Sequence, residues 1–194
     1  MQNIIYAILR CFMRITGGES RGIQLKVPIG RFVRPTTDRV REAVFAMLGG
    51  ISDCGGRILD LYAGSGALGI EALSRGAKWV DFVDQNRKSC NVIEYNLKKI
   101  RLQDRAHIYC RSVNHAMIFL NNNYDVVFLD PPYSYSSTDD LLLTLSSNKI
   151  LKQMSTVVVS HANRFLLKSD YPDLHLVKQR RYGDSYVSIY QREI

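Results

Sequence analysis

At 194 residues, 46% hydrophobic and 23% charged, the chain has the make-up of one ordinary globular domain and is too short for several. Its 26 Lys and Arg against 18 Asp and Glu leave a net charge of +8, which favours a polyanionic partner, nucleic acid before an anionic membrane surface. Four dispersed cysteines without a C-x-x-C pair and four dispersed histidines argue against a disulfide framework and against a metal site, and point to reduced thiols in the cytoplasm.

Residues 1–12 are apolar but too short to span a bilayer, and they lack the basic flank and small-residue cleavage site of a signal peptide. They read as a non-native or disordered extension, with translation starting at Met13. Residues 13–50 form a basic N-terminal extension suited to nucleic acid. Arg14-Ile-Thr-Gly-Gly and Gly22-Ile-Gln-Leu-Lys-Val predict two short strands around a glycine turn. Thr37 or Asp38 is the N-cap of a helix from about Arg39 to Leu48, with Val40, Val44, Phe45 and Leu48 as its apolar stripe. Arg14, Arg21, Arg34, Arg39 and Arg41, with Thr36 among them, are the candidate nucleic-acid contacts, because cations on a glycine hairpin and a helix entrance suit phosphates. A solvated charged face is the alternative for any single arginine.

After a loop over residues 49–56, Ile58 to Tyr62 predicts a buried parallel strand holding one acid, Asp60. A buried carboxylate is costly unless something pairs with it. Ala63-Gly64-Ser65-Gly66 then leads into a helix, and small residues at such a turn let backbone amides approach a ligand. A turn packed with small residues for their own sake is the alternative. Trp79 to Val83 predicts a second strand ending at Asp84, where this kind of fold places an acid on the ribose hydroxyls of an adenosine cofactor. Arg87 to Ile100 follows as an amphipathic helix, Ala106 to Cys110 as a strand and Val113 to Leu120 as a short helix.

Val126 to Leu129 predicts a buried strand that Asp130-Pro131-Pro132-Tyr133 ends abruptly. The prolines fix a carboxylate, a carbonyl and an aromatic ring around one point. Asp130 and the Pro131 carbonyl can accept the two N–H bonds of a nucleobase amine, turning its lone pair toward an electrophile, while Tyr133 stacks on the base. A strand-ending turn with a structural Tyr is the alternative. Thr138 to Leu145 predicts a helix and Ser155 to Ser160 a strand. His175 to Arg181 and Tyr186 to Tyr190 pair as a terminal hairpin through Gly183-Asp184.

Ile58 to Glu71 resembles the first motif of the Rossmann-fold methyltransferases that use S-adenosylmethionine, and Asp130 to Tyr133 is similar to the signature of the enzymes that methylate amino groups. With Met13-Arg-Ile-Thr-Gly-Gly, Arg34-Pro-Thr-Thr-Asp-Arg-Val-Arg-Glu-Ala43 and Tyr182-Gly-Asp-Ser, nearly all of residues 13–194 resembles the bacterial methyltransferases of the guanine amino group in small-subunit ribosomal RNA. The resemblance implies an α/β Rossmann-like fold over residues 51–194. Its sheet is mostly parallel and seven-stranded, with a C-terminal antiparallel hairpin and a small N-terminal hairpin and helix beside it. It implies methyl transfer from S-adenosylmethionine to guanine N2 of 16S rRNA, within the assembled small subunit, by a monomer that needs no membrane. It implies that Asp60 holds the cofactor's ammonium, that Ala63, Gly64, Ser65 and Gly66 make room for the cofactor, and that Asp84 takes its ribose. Asn114 and His115 stand where relatives carry an Asp or Asn near the adenine. Asp130, Pro131 and Tyr133 are the implied catalytic set. An enzyme acting on DNA or on a protein glutamine, or a non-catalytic nucleotide-binding module, remains the alternative.

Overall fold

The structure, a computed structural model, describes residues 12–28, 37–49, 56–121, 123–131 and 135–193. Strands β1 (Phe12–Arg14) and β2 (Gln24–Lys26) pair antiparallel, with Met13 opposite Leu25. Phe12 is thus part of β1, one residue inside the segment read as an extension; residues 1–11 lie outside the described chain, as do Arg34, Thr36, Pro132 and Tyr133. Helix α1 (Asp38–Leu48) is capped by Thr37, whose side chain accepts the Val40 N–H, and it ends at Gly49 in the left-handed conformation.

From there strands and helices alternate: β3 (Arg57–Leu61), α2 (Ala67–Ser74), β4 (Trp79–Val83), α3 (Arg87–Lys99), β5 (Ala106–Tyr109), α4 (Val113–Phe119), β6 (Tyr124–Leu129), α5 (Tyr135–Ser146) and β7 (Leu151–Ala162). Three antiparallel strands close the chain, β8 (Asp170–Tyr171), β9 (Leu174–Tyr182) and β10 (Ser185–Arg192). The sheet order is β5-β4-β3-β6-β7-β10-β9-β8, parallel from β5 through β7. The seven expected strands are there. The eighth, Asp170–Tyr171, is two residues long and too short to show any period. Chain order reverses between β3 and β6, which opens a crevice at their carboxyl ends.

Alternation along the central strands builds two cores. Ile58, Val80, Phe82, Val126, Phe128 and Val158 face the side covered by β1, β2, α1, α2 and α3. Leu59, Leu61, Val83, Val127, Leu129 and Val157 face α4 and α5. The N-terminal hairpin and α1 share the first core through Met13, Ile15, Leu25, Val44 and Phe45, so residues 12–28 and 37–48 pack on the sheet domain rather than standing apart from it.

What joins them is polar. Glu71, on α2, is fully buried. Its Oε1 accepts from Thr16 Oγ1 at 2.8 Å and Arg75 Nε at 2.9 Å, and its Oε2 accepts from Thr16 N at 2.9 Å and Arg41 Nε at 3.2 Å. Arg41, 1% exposed, also donates to Asp38 Oδ1 at 2.8 Å and to the Arg14 carbonyl. This corrects its reading as a nucleic-acid contact, because a guanidinium held by Glu71 and Asp38 inside the protein has no face left for a phosphate. Arg14, Arg21 and Arg39 remain on the surface. Removing one partner of a buried pair strands the other, so Arg41→Ala is expected to cost about 3–5 kcal/mol of unfolding free energy in urea. Arg39→Ala, two residues away and exposed, is expected to stay within about 0.5 kcal/mol.

Candidate active site

Three carboxylates meet at the crevice: Asp60 in β3, Asp84 just beyond β4 and Asp130 just beyond β6. Asp60 is 2% exposed, and its Oδ2 accepts the Gly69 N–H at 2.9 Å, tying β3 to the first turn of α2. Among the described residues no cation pairs with it. Burial pushes its pKa well above the ordinary carboxylate value, partly offset by the Gly69 N–H and reinforced by the charges of Asp130 and Asp84. Asp81 in β4 is the contrast: equally buried, it receives Arg57 Nε at 3.2 Å, Trp79 Nε1 at 2.8 Å and the Tyr124 hydroxyl at 2.7 Å, so it is a structural acid.

Asp84 shapes the loop between β3 and α2. Its Oδ2 accepts the Gly64 N–H at 2.8 Å and its Oδ1 the Asn86 N–H at 2.7 Å. Ala63 N donates to the Val83 carbonyl at 3.0 Å. Gly64 has φ 56°, and a side chain there would meet only the Tyr62 carbonyl, at 3.9 Å, leaving room above the loop. Gly66 and Ser65 differ from expectation. A side chain on Gly66 would stand 3.0 Å from Ile93, and its N–H already serves the Ala63 carbonyl at 2.7 Å. The Ser65 hydroxyl turns inward to the Met13 sulfur at 3.6 Å, so its side chain is packing and a ligand meets at most its backbone. Gly69 owes its place to Phe82, 2.3 Å from where a Cβ would lie, which seats α2 close on the sheet.

Tyr62, at the end of β3, has φ 58°. An aromatic residue held in the left-handed region is strained, and such strain gathers at ligand sites. Nothing in the sequence marks it, since a tyrosine after a strand reads as ordinary. Pro131 is buried next to Asp130. Asn114 and His115 are exposed in the first turn of α4, where Ser112 caps the His115 N–H and Arg111 reaches the His115 ring at 3.3 Å. They lie past β5, beside β4, whose Val83 pairs with Tyr109. Cys90, which no sequence motif marks, donates its thiol to the Asp84 carbonyl at 3.3 Å and so helps fix that strand end.

A buried acid without a cation, two further acids beside it, an open left-handed glycine and strained backbone meet at the sheet's switch point, which suits a positively charged ligand with hydroxyls to bind. Residues 13–191 match the family described as Conserved hypothetical protein 95. Ribosomal RNA small subunit methyltransferase D of Escherichia coli K12 is 33% identical over 185 residues, covering 93% of this chain and 90% of the relative. The Bacillus subtilis protein YlbH is 37% identical over 183 residues, covering 93% of this chain and 99% of its own. The solved structure of Escherichia coli YhhF matches with a TM-score of 0.81 at 30% identity, covering 94% of this chain and 98% of that one.

Asp60 binds its proton more readily folded than unfolded, so its ionised form weighs against the fold. That cost is absent below the unfolded-state carboxylate pKa, grows as pH rises toward the raised folded value and is complete above it. Asp60→Asn is therefore expected to melt above the parent at pH 8, with the gap closing as pH falls to about 4. A gap that does not change with pH in thermal melts would show that the ionised carboxylate carries no penalty.

Proposed function

The chain belongs to the Conserved hypothetical protein 95 family, and from that membership we propose that it methylates guanine N2 in 16S rRNA, with S-adenosylmethionine as donor. The observation that carries this reading is the meeting of Asp60, Asp84 and Asp130 at one crevice of a parallel sheet. A relative named for small-subunit ribosomal RNA methylation, matched over nearly the whole chain, supports the substrate.

The residues present fit the cofactor. A sulfonium and an ammonium suit a crevice lined by carboxylates, and Asp60, buried without a cation, is the acid for the ammonium. Asp84, at the end of β4, is placed for the ribose hydroxyls, and Gly64 leaves space for the ligand to lie against the backbone. Asn114 and His115 are placed for the adenine side. When bound, the cofactor supplies an electrophilic methyl group on sulfur.

The rest is the work of this chain. A guanine amine is a poor nucleophile because its lone pair is delocalised into the ring. Asp130 and the Pro131 carbonyl accept its two N–H bonds, which holds the nitrogen toward tetrahedral geometry and stabilises the positive charge that grows there. Tyr133, outside the described residues, stacks on the base in this reading. Arg14, Arg21, Arg34, Thr36 and Arg39 hold backbone phosphates, and residues 13–50 serve as the RNA-binding part of a domain whose chemistry lies in 51–194. The protein works in the cytoplasm, as a monomer, on the assembled small subunit.

Asp130→Ala is expected to slow single-turnover methylation of small subunits by about 100-fold or more, with RNA affinity little changed, because its role peaks in the transition state. Transfer at near the parent rate would sink the mechanism. Asp84→Ala is expected to weaken cofactor binding in calorimetry by about 1–3 kcal/mol while leaving RNA binding intact. Arg39→Ala is expected to do the reverse, weakening RNA binding and flattening its salt dependence.

A further inference from the structure

Beyond the catalytic turn, the rim of the sheet continues in a direction that neither the glycine loop nor the basic hairpin uses. β6 and β7 run parallel with Leu129 beside Val159, and two residues past that last pair the chain reaches Pro131 after β6 and His161 near the end of β7, both at the carboxyl edge of the sheet. His161 pairs across to Tyr186, and Tyr186 to Arg181. Register partners share a face of the sheet. A row therefore leads from the candidate catalytic turn through His161 and Tyr186 to Arg181, which is exposed.

The row is built rather than loose. His161 is 5% exposed, with its Nδ1 2.9 Å from the Phe165 carbonyl and its Nε2 2.8 Å from the Ser188 hydroxyl. Its ring stacks on that of Tyr186, with centroids 5.7 Å apart and planes at 27°. That fixes the half-buried tyrosine against a rigid partner. The loop after β7 is held to the hairpin turn by Asn163 N donating to the Asp184 carbonyl at 2.8 Å. It raises Arg164 over the Phe165 ring, 4.9 Å from its centroid, and leaves Leu166 69% exposed. Among the described residues neither Arg164 nor Arg181 is in an ion pair.

Aromatic rings interleaved with unneutralised arginines along one rim make a platform for single-stranded nucleic acid: bases stack on rings, and phosphates meet guanidinium groups. We propose that the rim formed by Arg164, Phe165, Tyr186 and Arg181 binds the single-stranded RNA that adjoins the target nucleotide. This rests on the RNA reading above and adds to it a second binding surface, on the far side of the catalytic turn from the N-terminal hairpin. Two surfaces flanking one turn would hold the strand on both sides of an extruded base. The target itself would then sit at Asp130, and its neighbours on Tyr186 and the arginines.

The test compares Arg181→Glu and Tyr186→Ala with Lys149→Glu, which makes the same charge change at an exposed site just before β7, at the opposite end of that strand from His161. Binding of a labelled twelve-nucleotide single-stranded RNA is followed by fluorescence anisotropy over a salt series, and methylation of unmodified small subunits is measured separately. Arg181→Glu is expected to weaken RNA binding at least tenfold and to make the salt dependence shallower by about 0.7 for each phosphate no longer neutralised. Tyr186→Ala is expected to bind about tenfold more weakly, with Tyr186→Phe restoring affinity because the ring is kept. Lys149→Glu is expected to change affinity less than threefold. RNA affinity and salt slope unchanged in Arg181→Glu and Tyr186→Ala would overturn the rim, and methylation by the parent would show in the same experiment that the proposed reaction stands. RNA binding through the rim by a parent that transfers no methyl would instead remove the reaction and keep the surface. Preference of the rim for an acidic peptide over the RNA would also overturn the proposal.

Discussion

The Glu71 carboxylate, sealed from water, organises much of what surrounds it. It takes four hydrogen bonds from three segments that are far apart in sequence: Thr16 beyond β1, Arg41 on α1 and Arg75 one turn along its own helix. Burying one uncompensated charge would cost several kcal/mol, and two arginines with a backbone amide turn that cost into a constraint. The hairpin, α1 and α2 have one mutual arrangement in which every group finds its partner. Glu71 also lies on the helix that follows the glycine loop, so the same carboxylate that seats the basic N-terminal segment steadies the helix whose first turn holds Asp60 through Gly69. The surface read as binding RNA and the crevice read as binding the cofactor are built on one polar joint.

The crevice shows the opposite arrangement. Asp81 and Glu71 are buried acids with their charges answered, whereas Asp60 has one backbone donor and two more acids for company. Burial first, and then the neighbouring charges, raise the proton affinity of Asp60, and the arrangement persists only because the surrounding fold outweighs it. Tyr62 adds backbone strain at the same point. Both penalties fall where the sheet's topology opens a cleft, and both suit a cationic guest.

Period and punctuation make most of the architecture legible. β4 agrees with its sequence reading end to end, since Trp79 to Val83 is an apolar run, broken only by Asp81, between turn residues. The Asp130 turn is visible because two prolines cannot extend a ladder. Asp60 and Asp84 are visible because acids within or at the ends of buried runs demand a reason. Arg41 is not. On α1 it lies two positions from exposed Arg39, and no local pattern says which of the two turns inward; Glu71, thirty positions away in the chain, decides that. The inward hydroxyl of Ser65, the Ile93 contact of Gly66 and the left-handed Tyr62 are likewise tertiary facts. The row from His161 to Arg181 leaves no trace along the chain, because cross-strand neighbours carry no linear signature.

β10 is the last described strand in chain order, yet it lies inside the sheet, paired to β7 on one side and β9 on the other. Until it arrives, β7 has an open edge and the two strands of the far rim have nothing to join. During synthesis the parallel half, from β3 to β7, can collapse early, but it stays exposed along β7 until β10 emerges. Closure is thus a late, long-range event, of the kind whose loop entropy slows folding. β10 acts as a keystone: the rim beyond the Asp130 turn exists only in chains that have been made through that strand.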